Sequence, residues 1–371
     1  MGYKNIALIS PSKNKYSETF ILAHKNMLKG NVFYYYEGEL PKKNEGGLII
    51  NSRRRRILDI LKGYFNLNEF SLDQQAIISS FKRNKIDIVF AEYGGTGERI
   101  IPICRKLGIP LIVHFHGYDA SRRDMLEKHN NYQESFSYAS FIISVSNEMK
   151  KSLLLLGCPL DKLILNPYGP ANDFFEIKPS YKKRQFVSVG RFVDKKAPYY
   201  LILAFRLVLK EYPDANLVIV GKGELYNSCL NLIRYFELEN NIFLVGVKEK
   251  KEIKEIFQES MAYIQHSVIA ENGDMEGTPV SILEAGAAGL PVISTRHAGI
   301  SDVIRDGVNG YLVEEHDVKG MAEKMIYVLK NNHLIGELGI NSRDIIRENF
   351  KIERHIETLN DLIEKSTSIK E

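Results

Sequence analysis

The sequence predicts two doubly wound α/β domains in tandem, each a parallel sheet wrapped by helices, with a cleft between them. Three observations predict this. Short apolar, β-rich runs alternate with helix-periodic stretches along almost the whole chain, which is the rhythm of strand–helix–strand units. The rhythm pauses over residues 166–181, where Pro167, Gly169, Pro170 and Pro179 crowd together, a density of breakers that suits a linker. It then restarts, and 371 residues suffice for about two buried cores.

In the first half the strand runs are 6–10, 32–36, 48–50, 86–91, 111–116 and 141–145. Helical patterns cover 18–29, 54–64, 73–82, 97–106 and 147–156. In the second half, strands at 185–189, 216–220, 242–245, 261–265 and 291–294 alternate with helices. These helices start at Pro198 and Glu224, cover 249–258, and start again at Pro279. A last helical pattern covers 352–365. In doubly wound sheets ligands lie beyond the carboxyl ends of the strands, so the segments just after strands carry the functional weight.

Composition narrows the function classes. With 44% hydrophobic and 26% charged residues the chain is neither low-complexity nor disordered. No window reaches the ~18 apolar residues of a membrane span, and the apolar run at the start is too short for a secretory signal. Cys104, Cys158 and Cys229 are widely spaced without any CxxC pair, which points to a reducing cytoplasm and no structural metal. Residues 1–180 hold 25 Lys and Arg against 18 Asp and Glu, whereas residues 181–371 hold 25 against 28. The basic half invites an anionic partner, and a solvated positive face explains the count equally well. Arg53, Arg54, Arg55 and Arg56 precede an apolar-striped helical pattern. Such a cluster suits an anionic membrane surface or a solvated charge run. Nucleic acid is disfavoured, because the net charge is small and no aromatic-basic signature appears.

The most informative segment is Glu276-Gly-Thr-Pro-Val-Ser-Ile-Leu-Glu284 with the following Ala/Gly run. Thr278 and Pro279 read as N-cap and first helical residue. The free N–H groups of Val280 and Ser281 would then form an anion site at the positive end of the helix. Glu276 and Gly277 lie on the loop before that site, and Glu284 lies about a turn and a half into the helix. A diphosphate at the helix end would thus have a carboxylate on either side to accept protons from hydroxyl pairs. Two solvated glutamates flanking a helix start are the plainer alternative.

A second segment, Val189-Gly190-Arg191 through Lys195-Lys196, closes a strand with glycine and two cations. Arg191 can fork onto a pyrophosphate and Lys196 can act as a point charge, with Lys195 less clearly placed. Lys195–Lys196 could also be a surface turn. Gly221 and Gly223 close the next strand, and neither this pair nor the Gly94–Gly97 loop completes a dinucleotide fingerprint. Motifs of P-loop, hydrolase-elbow and zincin type are absent. His114 and His116 share a strand face. Their spacing permits a metal pair but no third ligand stands nearby in sequence, so His114 reads as a packed residue and His116 as a cleft-facing one.

In their order along the chain these segments resemble the GT-B glycosyltransferases of family 4. The motifs that carry the resemblance are Gly190-Arg191…Lys196, Gly221-x-Gly223, Glu276-x7-Glu284 and Leu290-Pro-Val-Ile-Ser-Thr295. Ser17-Glu-Thr-Phe20, Ala91-Glu-Tyr-Gly-Gly-Thr-Gly97, His114-Phe-His-Gly-Tyr-Asp-Ala-Ser121 and Asn272-Gly-Asp-Met-Glu-Gly277 make it closer to the bacterial exopolysaccharide branch of colanic-acid type.

The resemblance implies a retaining sugar transfer from a nucleotide-sugar without a metal or other cofactor. UDP is expected ahead of GDP, and the acceptor is a glycan or a polyprenyl-linked oligosaccharide. It places an acceptor-side domain over 1–170 and 351–371, the last helix crossing back, and a donor-binding domain over 171–350. Arg191, Lys196 and the amides near Val280 would neutralise the diphosphate, Glu284 would hold the ribose, and Gly246 and Val247 would meet the base. Glu276 would hold the donor sugar, and His116 would contact that sugar or position the acceptor. The chemistry would be cytoplasmic, with the first domain peripheral on the inner membrane face. A GT-B epimerase or a non-catalytic nucleotide-sugar-binding protein would share the same pocket. One departure is Asp302 in His297-Ala-Gly-Ile-Ser-Asp302, where the family usually ends this stretch in Pro-Glu.

Overall fold

The computed structural model describes residues 3–13, 18–49 and 70–368. The expected helix over 54–64 and the four arginines beside it lie outside the described residues. The chain divides into two compact units. One comprises Met1–Val145, Lys150–Asn166 and Ile356–Glu371, the other Ser146–Met149 and Pro167–His355.

The first unit runs β1 (Asn5–Ser10), α1 (Thr19–Met27), β2 (Asn31–Tyr36), β3 (Lys43–Asn44), β4 (Gly47–Leu48), α2 (Leu72–Arg83), β5 (Ile88–Glu92) and α3 (Gly94–Leu107). It continues through β6 (Leu111–His114), the short α4 (Tyr118–Ser121), α5 (Arg123–Lys128) and α6 (Gln133–Tyr138), then β7 (Phe141–Ser144), α7 (Asn147–Leu155), whose first residues through Met149 count with the second unit, and β8 (Leu163–Leu165). The sheet order is β4-β3-β2-β1-β5-β6-β7-β8. Six strands are parallel, while β3 and β4 form an antiparallel extension of β2. The run expected at 48–50 therefore meets a small hairpin at Leu48 rather than a parallel strand, and Ile50 lies outside the described residues. Ile6, Ala7, Leu8 and Ile9 are fully buried, as expected of a strand covered on both faces. Helix α2 is closed by a capping box in which Ser71 and Gln74 satisfy each other's backbone N–H groups.

The second unit runs β9 (Gln185–Val189), α8 (Pro198–Val208), β10 (Asn216–Val220), α9 (Tyr226–Tyr235), β11 (Ile242–Gly246), α10 (Lys250–Glu259) and β12 (Ala262–Gln265). Then come α11 (Val280–Ala287), β13 (Val292–Thr295), α12 (Ile300–Val303), β14 (Gly310–Val313), α13 (Val318–Lys330), α14 (Ile335–Asn349) and α15 (Ile352–Ser368). Its sheet is parallel throughout, in the order β11-β10-β9-β12-β13-β14. Phe186, Phe205, Ile219, Ile264 and Ile293 form part of one buried core. The Ala/Gly run of α11 brings that helix against α14: a Cβ on Gly286 would lie 2.7 Å from Ile346 Cγ1. From Ile356 onward α15 belongs to the first unit, where Asn360 Oδ1 accepts the Lys29 N–H at 2.8 Å.

Chain order reverses direction across each sheet at one place, β1/β5 in the first unit and β9/β12 in the second. At such a switch point adjacent loops leave in opposite directions and open a crevice at the carboxyl ends. Both clusters of polar side chains described below sit there.

Candidate active site

The loop after β9 begins with Gly190, whose N–H donates to Val220 O at 2.9 Å. A Cβ here would lie 2.7 Å from Lys196 Cδ, so the missing side chain makes room for the lysine stem. Phe192 turns inward and is buried while Arg191 stays exposed. Burying that ring is worth about 2 kcal/mol, and it anchors the loop so that the guanidinium is presented outward. The lysine pair is not a surface turn. Lys195 is buried, and its ammonium donates to Asp274 Oδ1 at 2.8 Å and Met275 O at 2.9 Å. Lys196 Nζ lies 2.9 Å from Glu276 Oε1.

The two lysines thus hold the loop that follows β12. Val268 N–H donates to Lys195 O at 2.9 Å, and Glu276 is 8% exposed, so it is not a solvated acid. Burial pushes the Glu276 carboxyl upward, but Lys196 and Lys195 outweigh that push and hold it down at about 2. Burial also lowers the Lys196 ammonium, an effect the Glu276 charge opposes. Tyr263 Oη sits beneath the pair, within hydrogen-bonding distance of Val189 O (3.1 Å), Gln265 Oε1 (3.0 Å) and Ser281 Oγ (2.9 Å). It ties β9, β12 and the start of α11 together.

Helix α11 starts one residue later than expected. Pro279 is its N-cap, with extended ψ of 115°, and no side chain caps the helix. The expected Thr278 cap is therefore not formed, because proline occupies the capping position itself. The first intrahelical bonds run from Ile282 and Leu283 to Pro279 O, so the Val280 and Ser281 N–H groups precede them, as the anion-site reading requires. Glu284 is half-buried in the second turn. Burial, reinforced by Asp173 and partly offset by Lys250, pushes its carboxyl up to about 8. Gly277 packs beneath: its carbonyl would lie 2.0 Å from a Cβ on Gly299.

Gly221 has φ of 134° and would place a Cβ 1.9 Å from Gly190 O, so only glycine fits there. Its N–H donates to Gly246 O at 2.7 Å, which joins the carboxyl ends of β10 and β11. Val247 follows, 42% exposed, with an apolar side chain available to a flat ring. Asp302 is engaged elsewhere in the unit, accepting from Asn147 N at 2.8 Å and Nδ2 at 3.0 Å.

His116 belongs to the first unit. Its ring stacks on Phe20, lies edge-on to Tyr93 and meets Glu92 Oε2 at 2.8 Å through Nε2. Glu92, the last residue of β5, also takes His24 Nδ1 on its other oxygen at 2.6 Å. Burial raises the Glu92 carboxyl, but the imidazoles of His24, His114 and His116 outweigh it and hold the acid well below its usual range. It is therefore an acceptor, and both imidazole nitrogens carry protons toward it. Burial lowers His114 to about 3, the neighbouring His116 adding to the effect, which agrees with a packed, neutral residue. Donor atoms of His24, Glu92 and His114 lie within 4.8 Å of one another, so the ligand set that sequence spacing did not reveal exists in space. The 2.6 and 2.8 Å separations are those of shared protons, and a metal ion would have to displace both. Asp119 accepts N–H bonds from Gly94, His116 and Gly117 and fixes the turn that carries His116.

Comparison with known proteins bears on the family and the fold. The family described as Glycosyltransferase Family 4 matches residues 32–169, and the one described as Glycosyl transferases group 1 matches residues 171–351. The chain belongs to the family 4 glycosyltransferases. Within that family it is 30% identical over 267 residues to the amylovoran biosynthesis glycosyltransferase AmsK of Erwinia amylovora, covering 70% of this chain. It is 29% identical over 248 residues to the putative colanic acid biosynthesis glycosyltransferase WcaL of Escherichia coli, covering 65% of this chain. The aligned stretches span 66% and 61% of those relatives' own lengths. The GT-B fold is matched by the crystal structure of Anabaena HepE in complex with UDP, with a TM-score of 0.76 and 15% identity over 99% of this chain and 100% of that one.

Proposed function

We propose that this family 4 member is a retaining, metal-independent hexosyltransferase. It moves a sugar from a nucleotide-sugar to a glycan or polyprenyl-linked acceptor in bacterial surface polysaccharide synthesis. The observation that carries this reading is the Lys196–Glu276 pair at the β9/β12 switch point, which sets a nearly buried cation and a buried acid side by side. Lys196, Arg191 and the Val280 and Ser281 amides together match a diphosphate in charge and donor count. Glu284 takes the ribose hydroxyls, Gly246 and Val247 meet the base, and Glu276 takes hydroxyls of the donor sugar.

In the transfer the bond from the sugar's anomeric carbon to the diphosphate oxygen breaks, and its electron pair leaves with the phosphate. The acceptor oxygen bonds to the same face of that carbon and passes its proton to the departing phosphate oxygen. Charge on the leaving group grows in this step, and the fixed cations and amides stabilise it without reorganising. His116 is proposed to contact the sugar or position the acceptor. The Anabaena protein was crystallised with UDP, which supports UDP ahead of GDP. The two exopolysaccharide relatives support the acceptor class. Among the described residues no helix is long and apolar enough to cross a membrane. We propose that the reaction is cytoplasmic and that the sequence segment holding Arg53 to Arg56 meets the inner membrane face.

Thermal-shift screening with UDP, GDP and their hexose conjugates tests the donor site. Glu284→Ala should weaken nucleotide binding, whereas Glu276→Ala should chiefly lower turnover. Equal and negligible effects of both changes would refute the site.

A further inference from the structure

Glu276 is held at two points: its carboxylate by Lys196, and its backbone by a histidine that the family motifs do not explain. The Glu276 N–H donates to His297 Nε2 at 3.1 Å. An imidazole nitrogen that accepts carries no proton, so the His297 proton sits on Nδ1. That atom lies 2.6 Å from Glu315 Oε1. The other Glu315 oxygen accepts the Ile269 N–H at 2.8 Å, from the beginning of the loop that ends in Glu276. His297 is 1% exposed, and both of its ring nitrogens are engaged.

The three residues leave neighbouring strands. Glu276 follows β12, His297 follows β13 and Glu315 follows β14. One proton arrangement satisfies the set, because both carboxylate oxygens face N–H donors and Nε2 faces a third. A carboxamide at position 315 would point its own N–H at either Ile269 or His297. We infer that His297, fixed in its Nδ1-protonated tautomer by Glu315, is the positioning residue that sets Glu276 against the donor sugar. This rests on the reading of Glu276 as a sugar-binding acid. His297 touches no substrate in this arrangement; it acts through the Glu276 backbone.

The test combines kinetics with a measurement that needs no substrate. With the nucleotide-sugar selected by thermal shift, His297→Ala should lower kcat about 100-fold, as a displacement near 1 Å can. UDP affinity, which depends on Glu284, should stay within twofold. His297→Gln should recover most of the loss, since its amide oxygen can accept from Glu276 N–H while its amide nitrogen donates to Glu315. Equal losses in the Ala and Gln variants, or kcat and UDP affinity falling together, would overturn the inference. Glu276→Ala is measured alongside. If it leaves turnover intact, the Glu276 reading has failed; if it lowers turnover while His297→Ala does not, only the positioning role has failed. Nitrogen NMR of ring-labelled histidine in the wild-type protein should show His297 as the Nδ1-protonated neutral form, and the opposite tautomer would overturn the inference whatever the kinetics.

Discussion

Lys196 Nζ and Glu276 Oε1 meet at 2.9 Å, with the two side chains only 14% and 8% exposed. A nearly buried pair is costly to break from one side, because the remaining charge has neither water nor partner. Lys196→Met should therefore lower unfolding stability by about 3 kcal/mol. Combining it with Glu276→Gln should recover part of that loss, since the orphaned charge is gone. Chemical denaturation of the two single variants and the double variant measures the coupling directly. Additive losses would mean that the two groups do not interact.

The same pair makes stability depend on acid. Glu276 is held at about 2 in the folded protein, against an ordinary value of 4.5. A depressed carboxyl contributes stability above its unfolded value and loses it as pH falls through the folded one. Relative to Glu276→Gln, the wild type should lose about 3 kcal/mol between pH ~4.5 and pH ~2. Parallel denaturation curves for the two proteins across that window would contradict the pairing.

The sequence made the two sheets legible and left much of the site hidden, for a physical reason. Period-two and period-3.6 patterns report burial, and they placed β9 and β10 at 185–189 and 216–220, the bounds the structure has. Weakly patterned segments escaped: β8 has three residues, β14 has four and β3 two, while the run read at 48–50 touched β4 without its hairpin partner. Glycine and charge motifs located Gly190, Lys196, Glu276 and Glu284. Partners from distant segments stayed out of reach. Nothing local in Glu92 announces His24, and nothing in His297 announces Glu315. The Thr278–Pro279 pair misled by one residue because either can precede a first turn, and only the extended ψ of Pro279 decides between them.

Glu284 should make nucleotide binding depend on pH. Burial and Asp173 hold its carboxyl up at about 8, so in the empty protein it is largely protonated at neutral pH. Ribose hydroxyls donate best to the ionised form, so binding should expel a proton. Affinity for UDP should rise with pH up to about 8, by no more than tenfold per unit for one proton. Glu284→Gln should flatten the profile, because the carboxamide keeps an acceptor and cannot titrate. Asp173→Asn should shift the profile to lower pH. A wild-type profile as flat as that of the Gln variant would remove Glu284 from the ribose contact.

Glycines at the strand ends should differ sharply in tolerance. At Gly221 a methyl group would lie 1.9 Å from Gly190 O, on a backbone with φ of 134°. Gly221→Ala should cost more than about 3 kcal/mol or prevent folding. Gly336, near the start of α14, has nothing within 4 Å of an added Cβ. Gly336→Ala should be neutral or stabilise by about 0.5 kcal/mol. Thermal unfolding of the two variants should rank them in that order, and similar behaviour would show that the junction of the loops after β9 and β10 is loosely packed.

Glu92 is the most demanding residue of the first unit. It is fully buried at the carboxyl end of β5, and its two oxygens accept hydrogen bonds from His24 at 2.6 Å and His116 at 2.8 Å. Glu92→Ala would leave two imidazoles facing a void, each short of an acceptor, at a loss of about 3 kcal/mol. Glu92→Gln keeps the volume, but its carboxamide nitrogen would face one of the two imidazole N–H groups, so that ring must change tautomer. The Gln variant should therefore lie between the wild type and the Ala variant in denaturant midpoint. It should also lose an imidazole N–H resonance that the wild type retains. Zinc added to the wild type should raise its melting temperature little, because His24 and His116 already occupy the carboxylate. A large rise that disappears in Glu92→Gln would make the cluster a metal site instead.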